Sequence, residues 1–293
     1  MVTVTYLSVI LATVTQSAAA KLYHRREGSA AVFNLIKAVT AALLLALMTL
    51  GGFTLHLPTV LFGLAYGACL AASMYAGYRA LCLGPMALTS MLVSFSVAIP
   101  LVFGITVGKE SLKPLHLLGL LLLLGAMILT NADKLFCKRG GGSDGITRKG
   151  SRYALWLFFV GTTFLCNGIA SILQKQHQTL YPGAYTREFM LFAMLLCATA
   201  FALLSLRGRP IARIKETKGK RFGALAGVAM GLANFSTLSL AGAQNASVLF
   251  PMISAGTLLG ALLCGRLLFG ERLKGNQYVA LLLGISAVVL LKL

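Results

Sequence analysis

The chain has 293 residues, 58% of them hydrophobic and only 11% charged, with a formal net charge of +19 and a mean hydropathy of +0.84. So little charge excludes a soluble domain, which needs far more polar surface. The basic residues sit in short loops between apolar runs, with no nucleic-acid-binding motif beside them, so the charge points to anionic lipid and membrane topology rather than to nucleic acid.

Lipid admits only helices or closed barrels, and long runs of Leu, Ala, Gly and Met without short alternating strands read as helices. Ten segments approach the roughly 20 residues that cross the hydrocarbon core. They are 2–22, 32–50, 59–81, 85–107, 114–131, 153–173, 184–206, 221–240, 246–269 and 276–292. The expected fold is therefore all-α and integral to the membrane.

The first segment lacks a basic leader and is followed by Lys21, His24, Arg25 and Arg26. Its Ser17-Ala-Ala-Ala run resembles a cleavage site, but the segment reads as the first membrane helix because the second half needs a counterpart. It carries Thr13, Thr15, Gln16 and Ser17. Polar groups at membrane depth are costly, which makes Gln16 a candidate on a substrate path and helix–helix hydrogen bonding its plainer role. In the second segment Asn34 and Lys37 share a face. Lys37 either snorkels to the headgroups or, facing a cavity, selects an anionic or zwitterionic substrate. The third ends in Tyr75, Tyr78 and Arg79, an interfacial anchor or an aromatic cage for a cationic or ring-bearing substrate.

Pro100 removes a backbone donor from the fourth segment and Pro251 does so in the ninth, so each is expected to kink its helix. After the fifth, residues 132–152 form a basic, glycine-rich linker with Lys138, Arg139, Gly140–Gly142 and Arg148-Lys149. The sixth carries Thr162, Thr163, Asn167, Ser171 and Gln174. Asn167 and Gln174 join the substrate-path candidates by the same reasoning as Gln16.

Arg187 and Glu188 open the seventh segment, and as neighbours in sequence they cannot face each other on a helix, so each needs another partner. Glu188 is the one carboxylate beside an expected cavity wall, hence the candidate for proton coupling, with helix-start stabilisation as its alternative. A second basic loop, 207–221, follows. In the eighth segment Gly223, Gly227 and Gly231 recur at helical spacing, a signature of close helix packing, with Asn234, Ser236 and Thr237 beyond them.

Glu110-Ser-Leu-Lys113 recurs as Glu271-Arg-Leu-Lys274, at an offset of 161 residues. Gly104, Gly63 and Gly119 meet Gly265, Ala224 and Ala280 at the same offset. One half is thus a degenerate copy of the other, and the expected organisation is 1–131, the linker 132–152, and 153–293. Five helices per half is an odd number, so the second copy enters the membrane inverted, the arrangement of transporters whose path lies between repeats. Glu110, Lys113, Glu271 and Lys274 are assigned to turns, helix capping or gating contacts. Most Lys and Arg follow the odd-numbered helices. The positive-inside rule places those loops in the cytoplasm and both termini outside.

Leu83-Gly-Pro-Met-Ala-Leu through Lys109-Glu110-Ser-Leu-Lys113, Gly119 and Gly125, together with Ala241-Gly-Ala-Gln-Asn245 through Gly270-Glu271-Arg-Leu-Lys274 and Gly284, resemble the drug/metabolite transporter superfamily. The similarity is to its ten-helix branch with two EamA-type domains and covers nearly the whole chain. The first helix departs from it, with Thr13-Val-Thr-Gln-Ser17 where members often have Trp-Gly. The resemblance implies secondary active transport of small metabolites, with helices of both halves lining a central cavity. Export of amino acids or related compounds across the cytoplasmic membrane by alternating access is the first expectation. A multidrug efflux carrier and a flippase for lipid-linked substrates are its alternatives. The expected partners are a small-molecule substrate, membrane lipids and protons as a coupling ion, in a monomer or homodimer. No nucleic acid, cofactor or metal is expected: the six Cys form no CxxC pair, and His24, His56, His116 and His177 read as scattered. Nothing in the sequence suggests an enzyme, since it offers no carboxylate pair and no nucleotide-binding loop.

Overall fold

With no water to bond, a backbone in lipid must satisfy its own N–H and C=O groups, and in this chain it does so by helices. The computed structural model describes residues 2–24, 30–83, 89, 92–93, 95–110, 113–136, 150–206, 219–270 and 275–292. Among them are ten α-helices: α1 (Val2–His24), α2 (Ala30–Thr49), α3 (Leu57–Leu83), α4 (Ala98–Thr106), α5 (Pro114–Phe136), α6 (Gly150–Leu180), α7 (Thr186–Leu206), α8 (Lys220–Ala243), α9 (Ala246–Phe269) and α10 (Gly275–Lys292). Seven of them are long and apolar enough to cross a membrane. Leu7, Leu11, Leu43, Leu47 and Leu203 in one compact part of the chain and Leu267 in another are each more than half exposed, apolar surface that lipid accepts. The chain is a multi-pass, all-α membrane protein.

Three helices carry shorter apolar stretches, Phe95–Thr106, Pro114–Leu129 and Gly275–Leu291. The fourth departs most from a single span over 85–107. Its described part holds helical residues at 89 and 92–93, a 3-10 turn at Phe95–Val97 and nine residues of α4. Pro100 falls in the first turn of α4, where the N–H it lacks would have had no intrahelical acceptor. It therefore costs α4 no hydrogen bond within its own span. Pro251 does lie inside α9 and deprives the Ser247 carbonyl of its usual partner. α9 ends at Gly270, whose φ of +64° is the left-handed cap that glycine adopts without strain.

α6 is the second departure, running to Leu180 instead of stopping near residue 173. Its added turns hold Gln174, His177 and Gln178, all buried. Polar residues that read as the approach to a loop are helical because each finds a partner inside the protein. Of the linker 132–152, residues 132–136 continue α5 and 150–152 open α6. Residues 137–149, the basic stretch 207–218, Glu271 and Lys274 lie outside the described residues.

The chain forms two compact units that cut across the sequence halves. Unit 1 comprises residues 1–71 and 173–244, and unit 2 comprises residues 72–172 and 245–293. In unit 1 the three glycines of α8 seat it on α2. A Cβ on Gly227 would stand 2.5 Å from the Lys37 carbonyl oxygen, one on Gly223 2.9 Å from Ile36, and one on Gly231 3.1 Å from Leu44. Gly63 and Gly67 do the same for α3 against α7, where added Cβ atoms would meet the Phe189 and Ala193 carbonyls at 2.7 and 2.6 Å. With no solvent to drive helices together in lipid, such close backbone approach supplies the dispersion that holds them. Unit 2 is knit by α5 and α10, with Leu123, Met127, Ala255 and Ala287 buried together and Gly119 against Leu291 and Ala287.

Candidate functional site

Unit 1 holds the richest buried polar chemistry. Tyr66 of α3 donates its hydroxyl to Asn234 Oδ1 of α8 at 3.1 Å and accepts from Gln174 Nε2 of α6 at 3.2 Å. Tyr66 and Gln174 are buried, and Asn234 is half-buried. Cys197 of α7 lies within electrostatic reach of both Tyr66 and Lys37, and its thiol donates to the Gly67 carbonyl at 3.3 Å. Lys37 is partly buried, with its ammonium 5.7 Å from the centre of the Phe33 ring. The Tyr66 hydroxyl and two side-chain amides thus meet from α3, α6 and α8, with the Lys37 ammonium of α2 in the same unit. This set presents donors, acceptors and one positive charge, the groups that recognise a small polar solute.

A second polar cluster in unit 1 joins the ends of those helices. Thr59 Oγ1 lies 2.9 Å from His56 Nδ1 and 3.0 Å from His177 Nε2. The histidines are thus not scattered: His56 and His177, read as isolated, share one hydroxyl. His177 also packs against Phe62, Tyr181 and Phe189. Next to it Glu188, buried in the first turn of α7, accepts from the Thr54 N–H at 3.2 Å and from its hydroxyl at 3.3 Å. Arg187 donates instead to the Met48 carbonyl at 3.1 Å. Lys175 donates to the Ala241 and Gln244 carbonyls at 3.2 and 2.6 Å, a cation at the C-terminus of α8, where the helix dipole favours it.

Unit 2 places its candidates differently. Asn167 accepts from the Ser73 hydroxyl. Tyr75 and Arg79 converge on one ring, Phe159, with Tyr75 edge-on at 6.4 Å and the Arg79 guanidinium 5.7 Å from the centroid. Tyr75 and Tyr78 are both exposed. Glu110 reaches from the turn after α4 to the start of α9. Its carboxylate accepts from the Ala246 N–H at 2.8 Å, the Ser247 N–H at 2.9 Å and the Ser247 hydroxyl at 2.6 Å. This is an N-cap delivered from a distant segment, a negative charge on the positive end of a helix. The Gly104 side of α4 leaves room for it, since a Cβ there would stand 2.6 Å from Glu110 Oε2.

Among the sequence candidates, then, Gln174 and Asn234 come together through Tyr66. Gln16 and Asn34 are half-buried on α1 and α2 without a hydrogen bond to another described side chain. Lys113 is exposed at the start of α5. Tyr66, Thr59, His56, His177 and Gln178 were absent from that set. Their signal was legible: Gln174, His177, Gln178 and Tyr181 fall at i, i+3, i+4 and i+7, one helical face, and Thr59, Phe62 and Tyr66 share another on α3. No group of three or more His, Cys, Asp or Glu able to hold a metal occurs among the described residues.

No protein-family model and no curated protein matches the chain. A solved structure described only as "Crystal structure of protein" is similar over 100% of this chain and 98% of its own, with a TM-score of 0.79 at 15% sequence identity. Identity at that level carries the fold alone.

Proposed function

We propose that this protein is a secondary carrier for a small polar metabolite, working by alternating access in the cytoplasmic membrane. The observation that carries the proposal is the Tyr66–Gln174–Asn234 network, with Lys37 in the same unit, inside membrane-length helices. A polar cluster at that depth is expensive, and a solute path is the usual reason for keeping one. The charge of Lys37 sharpens the substrate class. Lys37 has the Phe33 ring and the Cys197 thiol around it and no carboxylate partner among the described residues. An amino acid or related zwitterion supplies the missing carboxylate, and export follows the resemblance to the ten-helix drug/metabolite transporters.

The inverted repeat belongs to the same reading. Within the units α2 packs on α7, α4 on α9 and α5 on α10, each helix on its counterpart five places along. Pairs of counterparts in contact are what a pseudo-two-fold axis between repeats would create. Termini outside and basic loops inside complete the proposed topology.

The test is transport by the full-length protein in proteoliposomes. Labelled zwitterionic, anionic and cationic metabolites are offered with and without an imposed pH gradient. Movement of zwitterions or anions, reduced at least tenfold by Lys37→Gln and by Tyr66→Phe, is the expected result. Movement of cations alone would overturn the substrate class and favour multidrug efflux. No movement of any solute, with scrambling of lipid-linked probes instead, would replace the carrier with a flippase.

A further inference from the structure

Two loops of unit 1 are fastened to each other. The α2–α3 loop gives Thr54 to Glu188 and, through Met48 at the end of α2, a carbonyl to Arg187. His56, the last residue before α3, lies flat on Tyr185 of the α6–α7 loop, with ring centroids 4.5 Å apart and planes 4° from parallel. The edge of Tyr181 closes on it at 4.8 Å. Tyr185 has a φ of +52°, a left-handed backbone that a side-chain-bearing residue rarely adopts and that its surroundings must hold in place. Strain of this kind collects at switching segments.

The hydrogen bonds beneath this stack have a fixed direction. A backbone N–H can only donate, and that of Gly183 donates to Gln178 Oε1 at 3.0 Å. A carbonyl can only accept, and that of Ala184 lies 3.5 Å from Gln178 Nε2. The amide of Gln178 is thereby oriented, and its Nε2 faces His177 Nδ1 at 3.2 Å as a donor. His177 must then carry its ring proton on Nε2 and give it to Thr59 Oγ1. The Thr59 hydroxyl can then donate to His56 Nδ1, with the His56 proton on Nε2. The chain closes with both imidazoles neutral.

An added proton costs the chain one of these bonds. On His177 Nδ1 it would face the Gln178 amide, donor against donor. On His56 Nδ1 it would take the place of the Thr59 proton, leaving the buried Thr59 Oγ1 to accept from both imidazoles and its own hydroxyl proton without the acceptor it now has. The charged groups on the surrounding elements are engaged elsewhere: Glu188 with Thr54, Arg187 with Met48, and Lys175 with the end of α8. The other titratable neighbours are Tyr66, Tyr181 and Tyr185. His56 is only partly buried and gives protons a way in, whereas His177 is wholly buried.

We propose that the His56–Thr59–His177 array is a proton-binding site that unfastens this latch: protonation breaks the chain, releases Tyr185 from its stack and frees the 50–56 and 181–185 loops from each other. Closure then holds while both imidazoles are neutral and weakens as pH falls and one of them takes up a proton. The proposal draws its purpose from the carrier reading, while its measurement needs no substrate.

The experiment is hydrogen–deuterium exchange of the full-length protein in lipid nanodiscs at pH 8 and pH 5, corrected for intrinsic exchange and read on peptides covering 50–56 and 181–186. Opening should increase by about tenfold for each unit of pH over which proton uptake and opening are linked. His56→Phe keeps a ring on Tyr185 and should abolish the pH dependence. Thr59→Val, close to isosteric, should leave the loops open at both pH values. Exchange in the unmodified protein that does not change with pH would overturn the proposal. So would a pH dependence that survives in His56→Phe but vanishes in Glu188→Gln, because the carboxylate would then own the switch. pH-dependent exchange in a chain that moves no solute would support the latch and count against the carrier reading alone.

Discussion

Glu110 in unit 2 and Glu188 in unit 1 are both carboxylates at the start of a helix, yet they are held in opposite ways. Glu110 takes two backbone N–H groups and a hydroxyl at 2.6–2.9 Å, all from the first turn of α9. Glu188 takes the N–H and hydroxyl of one loop residue, Thr54, at 3.2 and 3.3 Å on a single oxygen. Short charge-assisted bonds to a helix terminus make a fixture, and longer bonds to a loop make a fastening that can open. The contrast extends to the units around them. Unit 2 is knit mainly by apolar and small-residue packing, whereas unit 1 threads Gln, His, Tyr, Asn and Lys side chains between its helices. The lesson is that an acidic residue at a helix start is assigned by its donors, not by its presence.

The comparison breaks most violently where packing, not polarity, decides. Gly227→Leu in unit 1 puts a side chain where even a Cβ would stand 2.5 Å from the Lys37 carbonyl and 2.7 Å from Thr40. Neither backbone nor β-branched neighbour yields, so a loss of 3 kcal/mol or more, of order ~3–5, and failure to recover folded monodisperse protein are expected. Gly161→Ala on α6 of unit 2 is the control, since nothing lies within 4 Å of the added Cβ. Its melting temperature should equal or exceed that of the parent. Equal behaviour of the two variants would show that α8 does not sit on α2 as described.

Glu110→Ala comes next. Removing the carboxylate leaves two N–H groups at the head of α9 without their acceptor, at a cost of about 2–3 kcal/mol. Thermal unfolding in detergent should fall by several degrees, while exchange of the 181–186 peptide stays as it was. Glu188→Gln should invert that pattern, with little change in melting and faster exchange at the latch. If both glutamates shift melting alike, the distinction between fixture and fastening fails.

Tyr66→Phe separates the structural from the functional meaning of the unit 1 network. Hydrogen bonds between membrane helices contribute about 0.6 kcal/mol on average, so stability should fall by less than about 1 kcal/mol. Transport should fall at least tenfold, mostly through a raised KM, if the hydroxyl meets the solute. A loss of stability matched by unchanged transport would make Tyr66 a structural strut.

How much of this was open to inspection in the sequence follows from what periodicity carries. Hydropathy marked the helices and the glycine stripe of α8, because both are properties of one segment. The polar stretch from Gln174 to Gln178 looked like a helix end, because its partners, Tyr66, Thr59 and Gly183, lie on other segments or in a turn. His56 and His177 are separated by α3 to α6 in the chain, and no local pattern states that one threonine joins them. The division into units was hidden for the same reason: spacing tells which face of a helix is buried, never which helix it is buried against.

The finest test of the comparison removes one hydroxyl from each glutamate. Ser247→Ala leaves Glu110 with two backbone N–H donors, so the cap of α9 should survive with a loss of about 0.5–1 kcal/mol and no effect on either loop. Thr54→Val leaves Glu188 with a single N–H at 3.2 Å, from a loop with no helix dipole behind it. The same chemical deletion should therefore change little in melting but raise exchange of the 50–56 and 181–186 peptides about threefold, roughly the weight of one weak hydrogen bond. If Thr54→Val is as silent at the latch as Ser247→Ala, Glu188 does not fasten the loops. The closure would then rest on the His56–Tyr185 stack alone.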